Sequence, residues 1–224
     1  MSTVIDKKLV GQATYDMLRD DIVTGKLKPG AKLKLNELRD RYDVSVNTLR
    51  EVLMRLVSDG FVLFEDQKGF RVAPISPDEL LELAELRISM ELLGLRKSMQ
   101  RVTMDWKSNL VSAHYRLSCM EKLMETDETQ FVKEWERADR DFHMTLVANS
   151  GSRQLIRYHS SVLELFMRYQ VLALSKRPFR GHAAEEEHKV LLNMILEDKV
   201  DEACTLLEAH ITRGTRQPED IDYS

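Results

Sequence analysis

LNELRDRYDVSVNTLREVLMRLVSDGFVLFEDQKGFR, residues 35 to 71, decides the fold of the N-terminal part of the chain. It reads as two short helices followed by a two-stranded ribbon. In the second helix Leu49, Val52, Leu53 and Leu56 recur at helical spacing and form one apolar face. Asn47, Thr48, Arg50, Met54 and Arg55 fall on the other side, available to a partner. Asp43 and Ser45 supply the turn and the N-cap ahead of this helix, and Asp59-Gly60 ends it. Phe61 to Glu65 restarts the chain as a strand, which Gln67-Lys68-Gly69 turns back through Phe70, Val72 and Ala73. With one more helix upstream, the order helix, helix, helix, ribbon is the outline of a winged helix-turn-helix.

Such a unit suits duplex DNA. The major groove admits one α-helix, an N-terminal helical turn brings amides and short polar side chains to phosphates, and an arginine one turn on reaches a guanine edge with two donors. Ser45, Asn47, Thr48 and Arg50 are the candidate contacts on the helix, and Lys68 and Gly69 those at the wing tip. A small structural helical unit with a solvated polar face is the competing reading of any one amphipathic helix. The order of elements and their short connections weigh against it.

The same stretch resembles the DNA-binding domain of the GntR superfamily of bacterial regulators. Leu35 to Leu38 opens the second helix as in that family, and SVNTLREVL, Ser45 to Leu53, is similar to its Ser-Arg-Thr-Pro-Val-Arg-Glu-Ala-Leu pattern. Leu56, Gly60 and Gly69 fall where the pattern wants them. The resemblance implies that Arg50 is the DNA-contacting arginine and that Asn47 and Thr48 are polar contact positions. Val46 stands where the family usually has Arg, which implies an operator unlike the commonest family half-site.

At 224 residues and 26.0 kDa the chain has room for one domain of about 75 residues and one of about 150, each able to bury a core. The expected division is 1–76 and 77–224, with Pro74 to Pro77 as a short stiff linker. The net charge of -4 is split: residues 1–76 hold 13 Lys or Arg against 11 Asp or Glu, and the remainder 20 against 26. The basic surplus thus belongs to the winged unit, and the acidic remainder disfavours non-specific adhesion to DNA. Cys119 and Cys204 lie in apolar helical patterns without metal-type spacing and read as reduced core residues. No stretch has the length and apolarity of a signal sequence or membrane helix, so the expectation is a soluble cytoplasmic protein without a membrane partner.

Upstream, a first helix is expected from about Gln12 to Thr24 with Ala13, Met17, Leu18 and Ile22 inward and Gly25 closing it. Lys28-Pro29-Gly30-Ala31 has the chemistry of a type II turn. Beyond Pro77 there is no strand signal. Six helical segments are expected near 77–101, 103–125, 128–149, 152–176, 183–197 and 199–216, and the polar tail QPEDIDYS is expected to fray. The fold class is mainly α: a winged helix-turn-helix followed by an all-α helical-bundle effector domain.

The bundle carries the second chemical signal. Asp139 and His143, four apart, project from one helix face. His188 lies 10 residues before Asp198 and His210 12 after it, so in an antiparallel hairpin turning there the two reach nearly the same height. One carboxylate and three imidazoles converging in a bundle suit a divalent metal of the zinc, nickel or manganese kind. Spacing alone equally allows histidines that pack a core. His114, His159 and His182 show no such arrangement and read as ordinary surface or packing residues.

An all-helical domain after a GntR-type winged unit resembles the FCD effector domain of the FadR subfamily, whose metal-binding members use Asp-x3-His on one helix and single histidines on the last two. DRDFHMTLVANSG and EEEHKVLLNMILEDKVDEACTLLEAHI match that pattern at Asp139, His143, His188 and His210. Arg87, in AELRISMELLGLR, matches an arginine that points toward the family's pocket, with Glu91 one turn later as its helical partner; a surface pair with Glu91 is the alternative. A guanidinium and a metal together would grip a small organic acid. Asn149 and Arg168 are further candidates to line the pocket, and the family's small residue after that helix turn is Gly94 here, a minor departure. Six helices lean toward the VanR-like branch.

The expected function is a ligand-responsive, homodimeric transcription regulator, a repressor released from double-stranded operator DNA by a small organic acid. The alternative is a metal-dependent hydrolase using the His/Asp site. No general base or oxyanion donors appear at informative spacing, and Glu185, Glu186 and Glu187 read as a solvated helix start. The winged unit would also go unexplained.

Overall fold

In the computed structural model, which describes residues 2–174 and 179–216 and side chains from residue 9 on, the chain separates into two units between Ser76 and Pro77. The QPEDIDYS tail lies outside the described residues. The first unit holds α1 (Ser2–Val23), β1 (Lys32–Leu33), α2 (Leu35–Tyr42), α3 (Val46–Ser58), β2 (Val62–Glu65) and β3 (Gly69–Val72).

Asp43 ends α2 in the left-handed region at φ 50°. Ser45 follows in extended conformation, and its Oγ accepts the Thr48 backbone N–H at 3.1 Å to start α3. Leu49, Val52, Leu53 and Leu56 are all buried, as their spacing requires. The first helix differs from expectation. It begins at Ser2 rather than near Gln12, since nothing in STVIDKKLV breaks a helix. Its inward face holds Thr14, Tyr15, Leu18 and Ile22, while Ala13 and Met17 are exposed. Polar contacts set that rotation: Tyr15 donates to Asp59 at the end of α3 (2.6 Å), and buried Asp21 accepts from Tyr42 and Arg41 of α2, each at 2.7 Å.

The ribbon is the larger part of a three-stranded antiparallel sheet in the order β1-β3-β2. β2 and β3 pair with Val62 opposite Val72 and Phe64 opposite Phe70. β1 was not foreseen, because two residues show no alternation. It covers the other edge of β3, with Lys32 opposite Arg71 and Leu33 opposite Phe70, and the Val72 N–H donates to the Ala31 carbonyl at 2.9 Å.

The second unit is a bundle of α4 (Pro77–Met99), α5 (Met104–Met124), α6 (Glu128–Ala148), α7 (Arg153–Ala173), α8 (His182–Leu196) and α9 (Val200–Gly214). Thr103, Asp127 and Ser152 cap α5, α6 and α7 by accepting N–H groups three residues on. Asp198 takes a left-handed φ of 59° in the turn between α8 and α9. α5 runs along α6, α4 packs against α6, α7 and α9, and α8 against α9 and α5. Trp106 ties α5 to α6 by donating its Nε1–H to the Thr145 carbonyl at 2.8 Å. Cys204 is buried and Cys119 half-buried, and neither forms a disulfide. No described helix is long and apolar enough to cross a membrane.

Gly94 marks the closest approach of α4 and α6. A Cβ there would lie 2.5 Å from Val147 Cγ1 and 2.7 Å from Val147 Cβ. The second of these atoms is fixed to its own backbone, so the helices must part to admit a methyl. Alanine gains about 1 kcal/mol of helix propensity, whereas overpacking a core costs about 1–3 kcal/mol. Gly94→Ala is therefore expected to lower the urea unfolding free energy, by up to about 2 kcal/mol. Higher stability would mean that α4 and α6 separate freely.

Candidate functional site

The exposed face of α3 presents Asn47 and Arg50, with Thr48 and Val46 half-exposed beside them. Val46 and Arg50 share a groove with Lys32, Lys34, Lys68 and Gly69, so three lysines from the sheet side stand around the recognition helix. Lys32 and Lys34 went unremarked in the sequence, although the alternation of AKLKL about buried Leu33 places both on one side. Ser45 is engaged as the helix cap, its Oγ 2.9 Å from Thr48 Oγ1 as well. Lys68 is exposed and bonds Glu65 at 2.7 Å, and Gly69 supplies the positive φ of 84° that the wing turn needs.

In the bundle, α6 contributes Asp139 and His143, α8 contributes His188 and α9 contributes His210, all buried. One ring nitrogen from each histidine lies within 4.8 Å of those of the other two. The rings of His188 and His210 are 4.6 Å apart, as the count about Asp198 required. Each Nδ1 meets a carboxylate: His143 meets Glu91 of α4 at 2.7 Å, His188 meets Glu121 of α5 at 2.8 Å, and His210 meets Glu187 of α8 at 2.7 Å. The Nε2 edges are what remains, and those of His143 and His188 are buried without a hydrogen-bond partner among the described residues. Asp139 stands beside them, its Oδ1 3.8 Å from His188 Nε2.

The electrostatics suit a cation. Burial lowers all three imidazoles, His143 to about 3, so they are neutral at neutral pH, the form that ligates metals. Burial raises the Asp139 carboxyl, against the pull of His188 and Arg87. Burial likewise pushes Glu121 up to about 9, with Asp139 and Glu185 adding to it. Glu187 goes the other way: burial would raise it, but His210, Arg180 and Arg213 hold it at about 2. Three imidazoles, each held at Nδ1 by a glutamate side chain and two of them, His143 and His188, with an Nε2 unpartnered among the described residues, stand beside the Asp139 carboxyl and form a donor set that a divalent metal fits.

Arg87 is buried next to this cluster. Its Nε donates to Glu91 at 2.7 Å, its guanidinium lies 4.7 Å from the Phe166 ring centroid, and its Nη2 has no hydrogen-bond partner among the described residues. Arg87, Asp139, His188 and His210 line a cavity of about 50 Å³ whose other walls are largely apolar, Trp135, Phe166 and Phe179 among them. At about 10–15 Å³ each, this admits roughly three to five water-sized groups.

The chain matches the family described as "Bacterial regulatory proteins, gntR family" over residues 11–72 and the FCD domain over residues 82–213. It belongs to the GntR family of bacterial transcription regulators. Within that family its effector domain is of the FadR-like FCD kind, and it is a regulator rather than an enzyme. It is 36% identical over 201 residues to the HTH-type transcriptional regulator BphR of Paraburkholderia xenovorans, covering 89% of this chain and 81% of that protein. To the HTH-type transcriptional repressor GlaR of Escherichia coli it is 30% identical over 207 residues, covering 92% and 88%. The fold is also that of E. coli McbR/YncC, with a TM-score of 0.74 at 19% identity over 91% of this chain and 94% of that one.

In this GntR regulator the structure gathers Asp139, His143, His188, His210 and Arg87, but brings neither Asn149 nor Arg168 to the cavity. Asn149 caps α6 and donates to the Ser98 and Arg101 carbonyls. Arg168 is buried two residues from Phe166 on α7, which turns it away from the cavity and toward the charge of Glu79. The Arg87–Glu91 pair is buried rather than superficial. Glu187 is no solvated charge, because it binds His210, Arg180 and Arg213. His159 is fully buried against Glu91 at 2.9 Å.

Arg50→Ala is expected to weaken binding to the specific operator by about 1–3 kcal/mol without unfolding the protein, and to relax base preference at one position. Gel shifts on operator and scrambled duplexes check it, and equal loss on both would make Arg50 a phosphate contact. Lys68→Ala should weaken both duplexes alike and flatten the salt dependence by about one unit.

Proposed function

We propose that this GntR regulator is a homodimeric cytoplasmic repressor that binds a roughly palindromic operator and leaves it when a small organic acid enters the FCD domain. In this reading Asp139, His143, His188 and His210 hold a divalent metal ion of the zinc, nickel or manganese kind. The observation that carries the proposal is the orphaned Nη2 of buried Arg87, at a small cavity beside the unpartnered Nε2 edges of His143 and His188. A buried guanidinium donor without an acceptor calls for an anion. A divalent ion at the cluster would supply a Lewis-acidic centre with positions open to a carboxylate oxygen. Arg87 would then orient the acid with two donors, its Nε staying on Glu91, while the apolar walls exclude water.

Dimerisation follows from the reader: one recognition helix covers a half-site, and a two-fold protein mirrors a two-fold operator. The relative GlaR is named a repressor, which supports that sign of regulation. Acid binding releases DNA only through different affinity for two arrangements of the winged units.

The test combines elemental analysis, light scattering and operator gel shifts titrated with a panel of small carboxylates. Wild-type protein is expected to be dimeric and to carry about one metal per chain, by the single donor set. His188→Ala and His210→Ala should lose the metal and the acid response while keeping acid-free operator affinity within a few fold. Arg87→Ala should keep the metal and lose the response. A metal-free wild type, or a His210→Ala variant that still releases DNA, would return these histidines to the role of packing residues.

A further inference from the structure

Glu91 is a fully buried carboxylate with three donors from three helices. Its Oε1 accepts Arg87 Nε from its own helix α4 at 2.7 Å and lies 2.9 Å from His159 Nε2 on α7. Its Oε2 lies 2.7 Å from His143 Nδ1 on α6. Paired with a guanidinium, Glu91 is ionised and can only accept. Both imidazoles must therefore present N–H to it. For His143 this places the proton on Nδ1 and leaves the Nε2 lone pair facing His188 and His210.

We infer that His159 is a positioning residue for the metal-ligating face of His143, acting through Glu91. The inference rests on the metal reading above. Arg87 fixes Glu91 only along α4, since the two share a helix four residues apart; His159 approaches from a different helix and removes the remaining freedom of the carboxylate to turn. His159 Nδ1 is buried with no hydrogen-bond partner among the described residues, so the bond to Glu91 is the polar contact that holds this ring. A residue that merely filled space at position 159 would need no nitrogen there. Arg87 hangs on the same carboxylate, so His159 steadies the acid clamp together with the metal ligand.

Full-length protein stripped of metal and titrated with Co2+ alone tests this, because the visible ligand-field spectrum reports the coordination of the ion and Zn2+ competition gives the affinity. Loss of such an outer partner typically weakens metal binding by about 10–100-fold. His159→Phe, which keeps a flat ring without the donor, is expected to show that loss and an altered Co2+ spectrum. His159→Gln, whose Nε2 can reach the same oxygen, should stay within about threefold of wild type, on the same reasoning. Metal-free operator binding should be unchanged in both. If His159→Phe fails to fold, His159→Met provides the donor-free test with a flexible side chain. Wild-type affinity and spectrum in the donor-free variant, or Gln as weak as Phe, would overturn the assignment. Wild-type protein that binds no Co2+ would instead overturn the metal reading itself.

Discussion

Three neutral imidazoles can share a dry helical core only if each has a nitrogen engaged, and here Glu91, Glu121 and Glu187 take the three Nδ1 atoms. Leaving any of these buried groups unmatched costs about 1–3 kcal/mol. The carboxylates therefore determine which ring edge each histidine turns to its neighbours, and much of the bundle follows from where they must stand. Glu91 requires α4 beside α6, Glu121 requires α5 beside α8, and Glu187 fixes α8 against α9. Asp139, His143, His188 and His210 occupy only three helices, but with Glu91, Glu121 and His159 the full arrangement draws on all six.

The winged unit solves a simpler problem. Its core face is a plain apolar stripe, and a single hydroxyl on Ser45 separates the turn from α3. Function there depends on what the exposed face displays, so it tolerates departures such as Val46. The first helix is also held by polar ties, from its Tyr15 to Asp59 and from Tyr42 and Arg41 of α2 to its Asp21.

These two problems differ in how far they can be read from a sequence. Leu49, Val52, Leu53 and Leu56 announce their helix by period alone, and Asp139 and His143 announce a shared face. The meeting of His188 and His210 was legible because a hairpin turning at Asp198 converts residue counts into heights. Glu91 was not legible in the same way: Arg87 and Glu91 four apart look identical whether the helix face is wet or dry. Glu187 was hidden in a run of three glutamates whose other members do face outward or partner elsewhere. His159 has no spacing relation to the other histidines, since its link to them passes through a carboxylate on a third helix. β1 was too short to carry a period, and the rotation of α1 is decided by long-range bonds of its Tyr15 to Asp59 and of its Asp21 to Tyr42 and Arg41. Asn149 gave no spacing signal of its place, which is the end of α6, where its amide donates to the Ser98 and Arg101 carbonyls.

Gly94 lies one turn beyond Glu91 on α4, and Val147 lies one turn beyond His143 on α6. The close approach of these two positions is what brings a short carboxylate side chain to within 2.7 Å of the imidazole. A position without a side chain therefore sets the separation across which Glu91 meets His143. Anyone grafting the Asp-x3-His pattern and its partner histidines onto another helical scaffold would copy every donor atom and still miss the site, unless the scaffold also carried a gap of one methyl group a turn away.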